Sequence, residues 1–194
     1  MKRDTRVRSL RLRGRSQQDC THFSTGSQIQ MPAMIIQSSR MRAMPKVFPH
    51  LWFQNQAEEA MEFYTSVLKD SKVLGSTNLP DPELSVVRFE LAKLQVVALN
   101  ANSHVPYNEA FSFLVETQDQ AETDYYWNAL TAGGGKEQPC GWLTDKFGVY
   151  WQVAPTALLR MIADPDREKG GRVMQAMYKM KKIIIADLEG AYRG

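Results

Sequence analysis

Apolar and polar residues alternate along the chain in a pattern that occurs twice, and the first copy begins at Lys46. The segment Lys46–Phe53 alternates with the two-residue period of a strand. Asn55 and Glu58, spaced as in a capping box, predict the start of a helix whose apolar residues recur at helical intervals. The buried side of this helix is predicted to comprise Ala57, Ala60, Met61, Tyr64 and Leu68.

Three further strands complete the first copy. They are predicted at Lys72–Thr77, Leu84–Leu91 and Leu94–Asn100, and the tight turn Ala92-Lys93 joins the last two. The order of elements in this copy is therefore β-α-β-β-β.

The second copy begins with a strand at Phe111–Glu116 and follows the same order. Asp119 and Glu122 form another capping box, and the QAE sequence at 120–122 repeats the QAE at 56–58. Ala121, Tyr125 and Leu130 are predicted to face inward, and a run of glycines ends the helix because glycine tolerates a left-handed exit. This glycine run is Gly133-Gly134-Gly135. It is followed by a predicted strand near Cys140–Leu143, a turn at Asp145–Gly148 and the strand Val149–Ala154.

Beyond Pro155 the pattern becomes helical. One helix is predicted in TALLRMIA, and a second begins near Asp164-Pro165-Asp166 because proline suits the first turn of a helix. Val173, Met177 and Met180, with Met174, recur at helical spacing and predict core or interface packing. We therefore predict an α+β domain over 45–194, made of module one (46–101), module two (109–155) and C-terminal helices (156–192).

Residues 1–44 show neither period and differ in charge from the rest of the chain. They contain nine Lys and Arg against two Asp, a net charge of +7, whereas 45–194 contain fifteen Lys and Arg against nineteen acids, a net charge of −4. Such a segment buries too little apolar area to offset its ordering entropy, and we expect disorder. Two interpretations remain open: an organellar transit peptide, with import directed by residues 1–20, or an over-extended start.

Composition excludes several classes of protein. The length suits one domain with a core that needs no disulfides, and Cys20 and Cys140 lack the spacing of a zinc site. No apolar run reaches the length of a membrane span, so no membrane contact is predicted. Because the predicted folded part is mildly acidic, it is not expected to bind nucleic acid. The predicted location is the cytoplasm.

Several sequence strings resemble one known family. PHLWFQNQAEEAMEFYTSVLKDSKV, CGWLTDKFGVYWQV and RVMQAMYKMKKI, with the duplicated β-α-β-β-β order, resemble the PhnB-like branch of the vicinal oxygen chelate superfamily. This branch carries the label 3-demethylubiquinone-9 3-methyltransferase domain, and the superfamily includes glyoxalase I, bleomycin-resistance proteins and extradiol dioxygenases. The resemblance implies a cupped mixed sheet with a ligand on its concave face, and it implies homodimers. It also implies an Asp before the last helix, where this chain has Ile184.

Metal-bearing members of the superfamily take one ligand from the first strand and one from the last strand of each half. The resemblance places His50 at the first position of half one, Ser112 at that of half two and Gln152 at the last position of half two, while half one offers no carboxylate before Asn100. Divalent ions such as zinc are usually held by three or four His, Glu or thiolate groups. A complete metal site is therefore not predicted; if a metal binds, His50 and Gln152 hold it.

The alternation of residues along the predicted strand VYWQVA indicates which of its side chains would line a cavity. Tyr150 and Gln152 share one side of it, whereas Val149, Trp151 and Val153 share the other. Small-molecule pockets are mostly apolar with a few placed polar groups, and the predicted set matches that description. Trp142 is assigned either to the core or to the pocket, and Asp145 is predicted to fix a turn. His104 is predicted to lie in an exposed linker, a loop that could also close over a pocket, and His50 to be semi-buried. The predicted ligand-binding residues are His50, Trp52, Ser112, Tyr150, Gln152 and Trp142.

Three functions follow from this resemblance and these residues. The favoured one is binding of a small molecule in a half-barrel cavity without a complete metal site. The second is a metal-dependent lyase, isomerase or dioxygenase, and the third is the methyltransferase of the family label. No glycine-rich loop links a strand to a helix with a downstream acid, which adenosyl cofactors usually need. Whether any reaction is catalysed stays open, as does the cofactor.

Overall fold

Two modules of the same element order and three C-terminal helices form the part of the chain that the structure, a computed structural model, describes, residues 46–194. The prediction for residues 1–44 lies outside this part. Module one comprises β1 (His50–Phe53), α1 (Ala57–Val67), β2 (Lys72–Asn78), β3 (Ser85–Leu91) and β4 (Leu94–Asn100). Its strands form one sheet in the order β1-β4-β3-β2, in which only β1 and β4 run parallel.

Module two repeats this arrangement. It comprises β5 (Phe113–Thr117), α2 (Gln120–Thr131), β6 (Lys136–Glu137), β7 (Trp142–Thr144) and β8 (Tyr150–Pro155), in the sheet order β5-β8-β7-β6. Again the first and last strands pair in parallel and the others antiparallel. The predicted α+β class and the duplicated β-α-β-β-β order are therefore confirmed.

Some predicted strand bounds were wrong. The strand predicted from Lys46 begins only at His50, and the one predicted from Phe111 begins at Phe113. The strand predicted near Cys140 is instead a 3-10 turn at Pro139–Gly141 followed by β7. In that turn the backbone N–H groups of Cys140 and Gly141 donate to Met180 and Lys181 carbonyls, so they are used by the C-terminal segment rather than by a sheet.

The predicted capping box of α1 was also wrong. Asn55 does not cap this helix; the side chain of Asn100, at the end of β4, accepts the N–H of Ala57 at 2.8 Å. Glu58 accepts hydrogen bonds from Asn100 and from the hydroxyls of Ser76 and Ser85. Burial acts to raise the pKa of Glu58, but these bonds and its own backbone N–H outweigh it, and the pKa lies below its usual value. A distant side chain thus replaces the local cap.

The helix of module two has the predicted cap but not the predicted inward side. Asp119 accepts the N–H of Glu122 at 2.8 Å, and Glu122 in turn accepts the N–H of Gln118. Ala121 and Tyr125 are exposed, contrary to prediction, whereas Leu130 is buried as predicted. The buried side comprises Thr123, Tyr126, Trp127 and Leu130.

Both modules share one hydrophobic core. The side chains predicted for the buried side of α1 are all buried, and they pack in the same cluster as Trp127 and Trp151 of module two. Along β1 and β8, alternate residues face this core and the residues between them point away from it. The predicted alternation along β8 is confirmed, with Trp151 buried and Tyr150 half-buried.

Asp145 joins the two modules inside this core. One carboxylate oxygen accepts from the Tyr64 hydroxyl of α1 at 2.7 Å and from the Trp151 indole N–H at 2.8 Å. The other oxygen accepts from the backbone N–H groups of Phe147 and Val149, which fixes the turn before β8 as predicted. Burial raises the pKa of Asp145 above its ordinary value, although all four donors act to lower it. We call Tyr64, Asp145 and Trp151 the Asp145 cluster.

Three helices follow module two: α3 (Thr156–Ile162), α4 (Arg167–Met177) and α5 (Ile185–Arg193). They have a small core of their own around Leu158, Met161, Val173, Ile183 and Leu188. None of the helices formed by residues 46–194 has the length and apolar character that crossing a membrane requires.

The N-terminus of α5 is capped by a residue of module two. Ile184, at the N-cap position, has no side chain that can accept a hydrogen bond. Gln120 of α2 takes this part: its Oε1 accepts the N–H of Ile185 at 2.8 Å, and its Nε2 donates to the Ile183 carbonyl at 3.1 Å. The contact ties the last helix to the body of the domain.

We expect Gln120→Ala to lower the free energy of unfolding by about 1 kcal/mol, as loss of a helix cap usually does. Urea denaturation monitored by circular dichroism measures the change. The matched control is Gln118→Ala, because Gln118 is exposed. Equal stability of the two variants would show that Gln120 does not stabilise α5.

Candidate functional site

Five of the six residues predicted to bind a ligand lie on sheet faces that point away from the core, and the sixth, Ser112, directly precedes β5. His50 and Trp52 alternate with buried residues along β1. His50 is exposed, so the prediction of a semi-buried imidazole was wrong. Tyr150 and Gln152 alternate with buried residues along β8, and Gln152 donates a hydrogen bond to the Ser112 hydroxyl at 2.9 Å. Trp142 stands directly opposite Gln152 on β7 and is half-buried.

The strand pairing also fixes which residues correspond between the modules. The QAE repeat and the ends of β1 and β5 are both offset by 64 residues, which makes Leu114 the counterpart of His50. This corrects the assignment of Ser112, which precedes β5. His50 stands opposite Val97 in one sheet, and Leu114 stands opposite Gln152 in the other.

These four positions do not fit a divalent metal. They hold one imidazole, one amide and two aliphatic side chains, from His50, Gln152, Val97 and Leu114. Leucine and valine offer no donor atom, and the amide adds no charge to offset a cation. Among residues 46–194 no three His, Cys, Asp or Glu side chains come together in a group that could hold a metal ion.

A cavity of about 330 Å³ lies between the modules, beside the end of β1 and the start of β8. It brings together two of the predicted residues, Trp52 and Tyr150. His50, Ser112, Gln152 and Trp142 do not line it. The other lining residues are Phe53, Gln54, Gln56, His104, Val105, Pro106, Tyr107, Lys136, Gln138, Thr144, Phe147 and Gly148.

The segment between the modules forms one wall of this cavity and is fixed to Trp52. The Tyr107 hydroxyl accepts the Trp52 backbone N–H at 3.0 Å and donates to the Trp52 carbonyl at 2.7 Å. It thereby fills the hydrogen-bonding positions that an edge strand leaves open. The Trp52 indole N–H donates to the Ser103 carbonyl at 2.9 Å, and the Tyr107 ring packs on Phe53 with centroids 6.0 Å apart. Residues 103–107 are therefore held in place over the cavity.

These hydrogen bonds occupy the indole N–H of Trp52 and the hydroxyl of Tyr107. Burial raises the pKa of Tyr107 to about 12, with the Trp52 bond acting against it and Asp145 adding to it, so the phenol stays protonated at neutral pH. The Trp52 side chain is 36% exposed. Both rings can therefore contact a ligand through their faces, while their polar atoms are occupied by the protein.

Sequence reasoning missed most of the cavity wall. Lys136, Gln138 and Thr144 belong to short strands or turns that were not predicted as pocket elements. Tyr107 lies in a segment without periodicity, although a tyrosine between two modules was a usable signal. His104 is exposed in the linker as predicted, and it lines the cavity as well.

Comparisons with known proteins identify the family. The model of the family described as 3-demethylubiquinone-9 3-methyltransferase matches residues 45–154. The chain belongs to this family. A search of curated protein sequences gives no match.

Solved structures that are similar to this chain include proteins named PhnB and FosX. A putative 3-demethylubiquinone-9 3-methyltransferase, the PhnB protein from Bacillus cereus, is 26% identical; the match covers 58% of this chain and all of that one, with a TM-score of 0.49. The fosfomycin resistance protein FosX from Mesorhizobium loti is 11% identical over 62% of this chain and 98% of its own, also with a TM-score of 0.49. FosX from Listeria monocytogenes is 12% identical over 57% and 91%, with a TM-score of 0.44. The match to the family model confirms the PhnB-like resemblance that the sequence strings predicted.

The family's descriptive name and the architecture point to different chemistry. Adenosyl cofactors usually bind where a strand of a doubly wound sheet passes through a glycine-rich turn into a helix. In residues 46–194 the strand-to-helix turns, at Gln54–Gln56 and Gln118–Asp119, contain no glycine. The glycine run at 133–135 follows the C-terminus of α2 instead. The described residues therefore do not fit this kind of adenosyl site.

Proposed function

We propose that this member of the family binds a small organic molecule in the cavity between its two modules, without a complete metal site. The observation that carries the proposal is the cavity itself. Trp52 and Tyr150, from different modules, both line it, and the segment 103–107 is bonded in place at its edge. Pre-formed concave sites with aromatic walls and a few polar groups are typical of small-molecule binding.

The lining is compatible with retention of a ligand rather than with covalent chemistry. Cys140, the cysteine that lies within residues 46–194, does not line the cavity. Asp145 is buried and accepts from four donors of the protein, so its lone pairs are engaged in holding the turn. The positions that carry metal ligands elsewhere in the superfamily contain only His50 and Gln152 as donors here. These points favour binding over catalysis.

We expect Trp52→Ala and Tyr150→Ala each to weaken ligand binding at least about tenfold, because each removes a large aromatic contact from the cavity. Native mass spectrometry of the full chain purified from its own cells identifies the retained molecule, and titration of that molecule gives the affinities. The matched control is Tyr125→Ala, since Tyr125 is an exposed aromatic that does not line the cavity. Equal affinity in all variants would refute this cavity as the binding site.

The same spectra test two other parts of the proposal. A stoichiometric divalent metal that the His50→Ala variant loses would contradict binding without a complete metal site.

We also propose a homodimer in the cytoplasm, supported by exposed apolar side chains such as Met174, Tyr178 and Leu159 on the C-terminal helices. A single subunit at all concentrations would contradict the dimer.

A further inference from the structure

The wall of the cavity between the modules contains one positively charged side chain, that of Lys136, and no negatively charged one. Of its fourteen lining residues one is a lysine, one is a histidine, and none is an aspartate or a glutamate. We infer that the molecule bound there is a small organic anion whose carboxylate or equivalent group is held by Lys136. This inference rests on the proposed function, because it concerns the ligand of the same cavity.

The position of Lys136 in the sheet supports this assignment. Lys136 on β6 stands directly opposite Thr144 on β7, and Thr144 stands opposite Tyr150 on β8. Side chains opposite each other on neighbouring strands are about 5 Å apart at their Cβ atoms. All three residues line the cavity. An ammonium group, a hydroxyl and a phenol therefore form one row of hydrogen-bond donors along a single wall.

Lys136 has no acidic partner among the described residues, unlike the lysines around it. Its neighbour Glu137 lies on the other side of β6, where it accepts from the Trp127 indole and pairs with Lys181 at 3.7 Å. Lys146, close to the same turn, pairs with Glu59 at 2.6 Å and lies over the Phe63 and Phe147 rings. The ammonium group of Lys136 is thus available to a ligand.

The opposite wall determines the rest of the molecule. Because Ser103 accepts the Trp52 indole N–H and the Trp52 backbone occupies the Tyr107 hydroxyl, these rings offer apolar faces only. A planar or apolar body fits against such faces. The amide groups of Gln54, Gln56 and Gln138 supply neutral donors and acceptors at the rim. The inferred ligand is therefore a compact anion with one charged end and one planar or apolar end.

Two probes of the same shape test the inference: the anion phenylacetate and its neutral amide, phenylacetamide. Dissociation constants are measured by ligand-observed NMR on the full chain, on Lys136→Gln, on Trp52→Ala and on Lys179→Gln. The last is the charge control, because Lys179 is exposed, does not line the cavity and has no salt bridge within residues 46–194. We expect phenylacetate to bind the wild type more tightly than phenylacetamide. Lys136→Gln should weaken phenylacetate roughly tenfold or more, as loss of a charged hydrogen bond does, without affecting phenylacetamide.

The outcomes separate this inference from the proposed function. If phenylacetamide binds the wild type as tightly as phenylacetate, or if Lys136→Gln behaves as Lys179→Gln, the anion inference is wrong while the cavity remains the binding site. If both probes bind Trp52→Ala as tightly as the wild type, the proposed function fails and the inference with it.

Discussion

Replacing Asp145 with alanine is expected to lower the free energy of unfolding by roughly 3–5 kcal/mol, because four donors lose their acceptor in one step. Two of these donors, the Tyr64 hydroxyl and the Trp151 indole N–H, are buried in the core shared by the modules. The other two are backbone N–H groups of the turn before β8, at Phe147 and Val149. Urea denaturation at neutral pH, followed by tryptophan fluorescence, measures the loss.

Two related variants test the cause. Tyr64→Phe removes one donor and leaves the carboxylate with three, so we expect a loss of about 1 kcal/mol. Asp187→Ala removes an exposed carboxylate and should change stability by less than about 0.5 kcal/mol. If Asp145→Ala were as stable as Asp187→Ala, the Asp145 cluster would not hold the modules together.

The pH dependence of stability tests the raised pKa of Asp145, with Asp145→Asn as the comparison variant that has no carboxyl group to titrate at this position. Burial raises the pKa of Asp145 in the folded protein above its unfolded value. A raised pKa means that the folded state holds the proton more tightly, so this contribution is fully present below the unfolded pKa. It is lost as the pH rises through the folded pKa. As the pH rises from the unfolded pKa to the folded pKa of Asp145, the wild type should therefore lose stability relative to Asp145→Asn. A stability difference that does not change with pH would show that the pKa of Asp145 is not raised.

Local patterns in the sequence predicted the fold well because most of its elements obey a simple period. The alternation along β8 and the buried side of α1 hold residue by residue, since each residue there faces either the core or the outside. The helix caps were predicted less well. Asn55 and Glu58 had the correct spacing, yet Asn100 caps α1 from the end of β4. A cap supplied from 43 residues away leaves no local signal.

The candidate site could be predicted only where it coincides with strands. Trp52 and Tyr150 were found because alternation places them on the outward side. Tyr107 and His104 lie in a segment without period, and Lys136 lies in a strand of two residues. Tyr125 was assigned to the core, but its hydroxyl donates to the Val67 carbonyl at the surface between α1 and α2. Such contacts depend on how the modules pack, which a single sequence does not contain.

Trp151→Ala is expected to cost about 3–5 kcal/mol of folding free energy, the range for deleting a large buried aromatic side chain. The side chain is 1% exposed, and its ring centroid lies 4.8 Å from Phe113 and 5.3 Å from Tyr64. Its removal opens a cavity where both modules meet and leaves Asp145 with one donor fewer. Thermal and urea denaturation of the full chain measure the change. Trp151→Phe, which keeps one aromatic ring but loses the five-membered ring with its N–H, should cost clearly less.

A double-mutant cycle distinguishes a shared cluster from two independent core positions. If Asp145 and Trp151 act through their 2.8 Å hydrogen bond, each single mutation leaves the other residue without its partner. The double mutant removes both partners together, so it does not suffer this loss twice. The combined loss in Asp145→Ala/Trp151→Ala should then fall short of the sum of the single losses by about 1–3 kcal/mol. Additive losses would mean that Trp151 stabilises the core by packing alone. In that case Asp145 would position the turn before β8 without help from Trp151 in β8. This turn places Phe147 and Gly148 in the cavity wall.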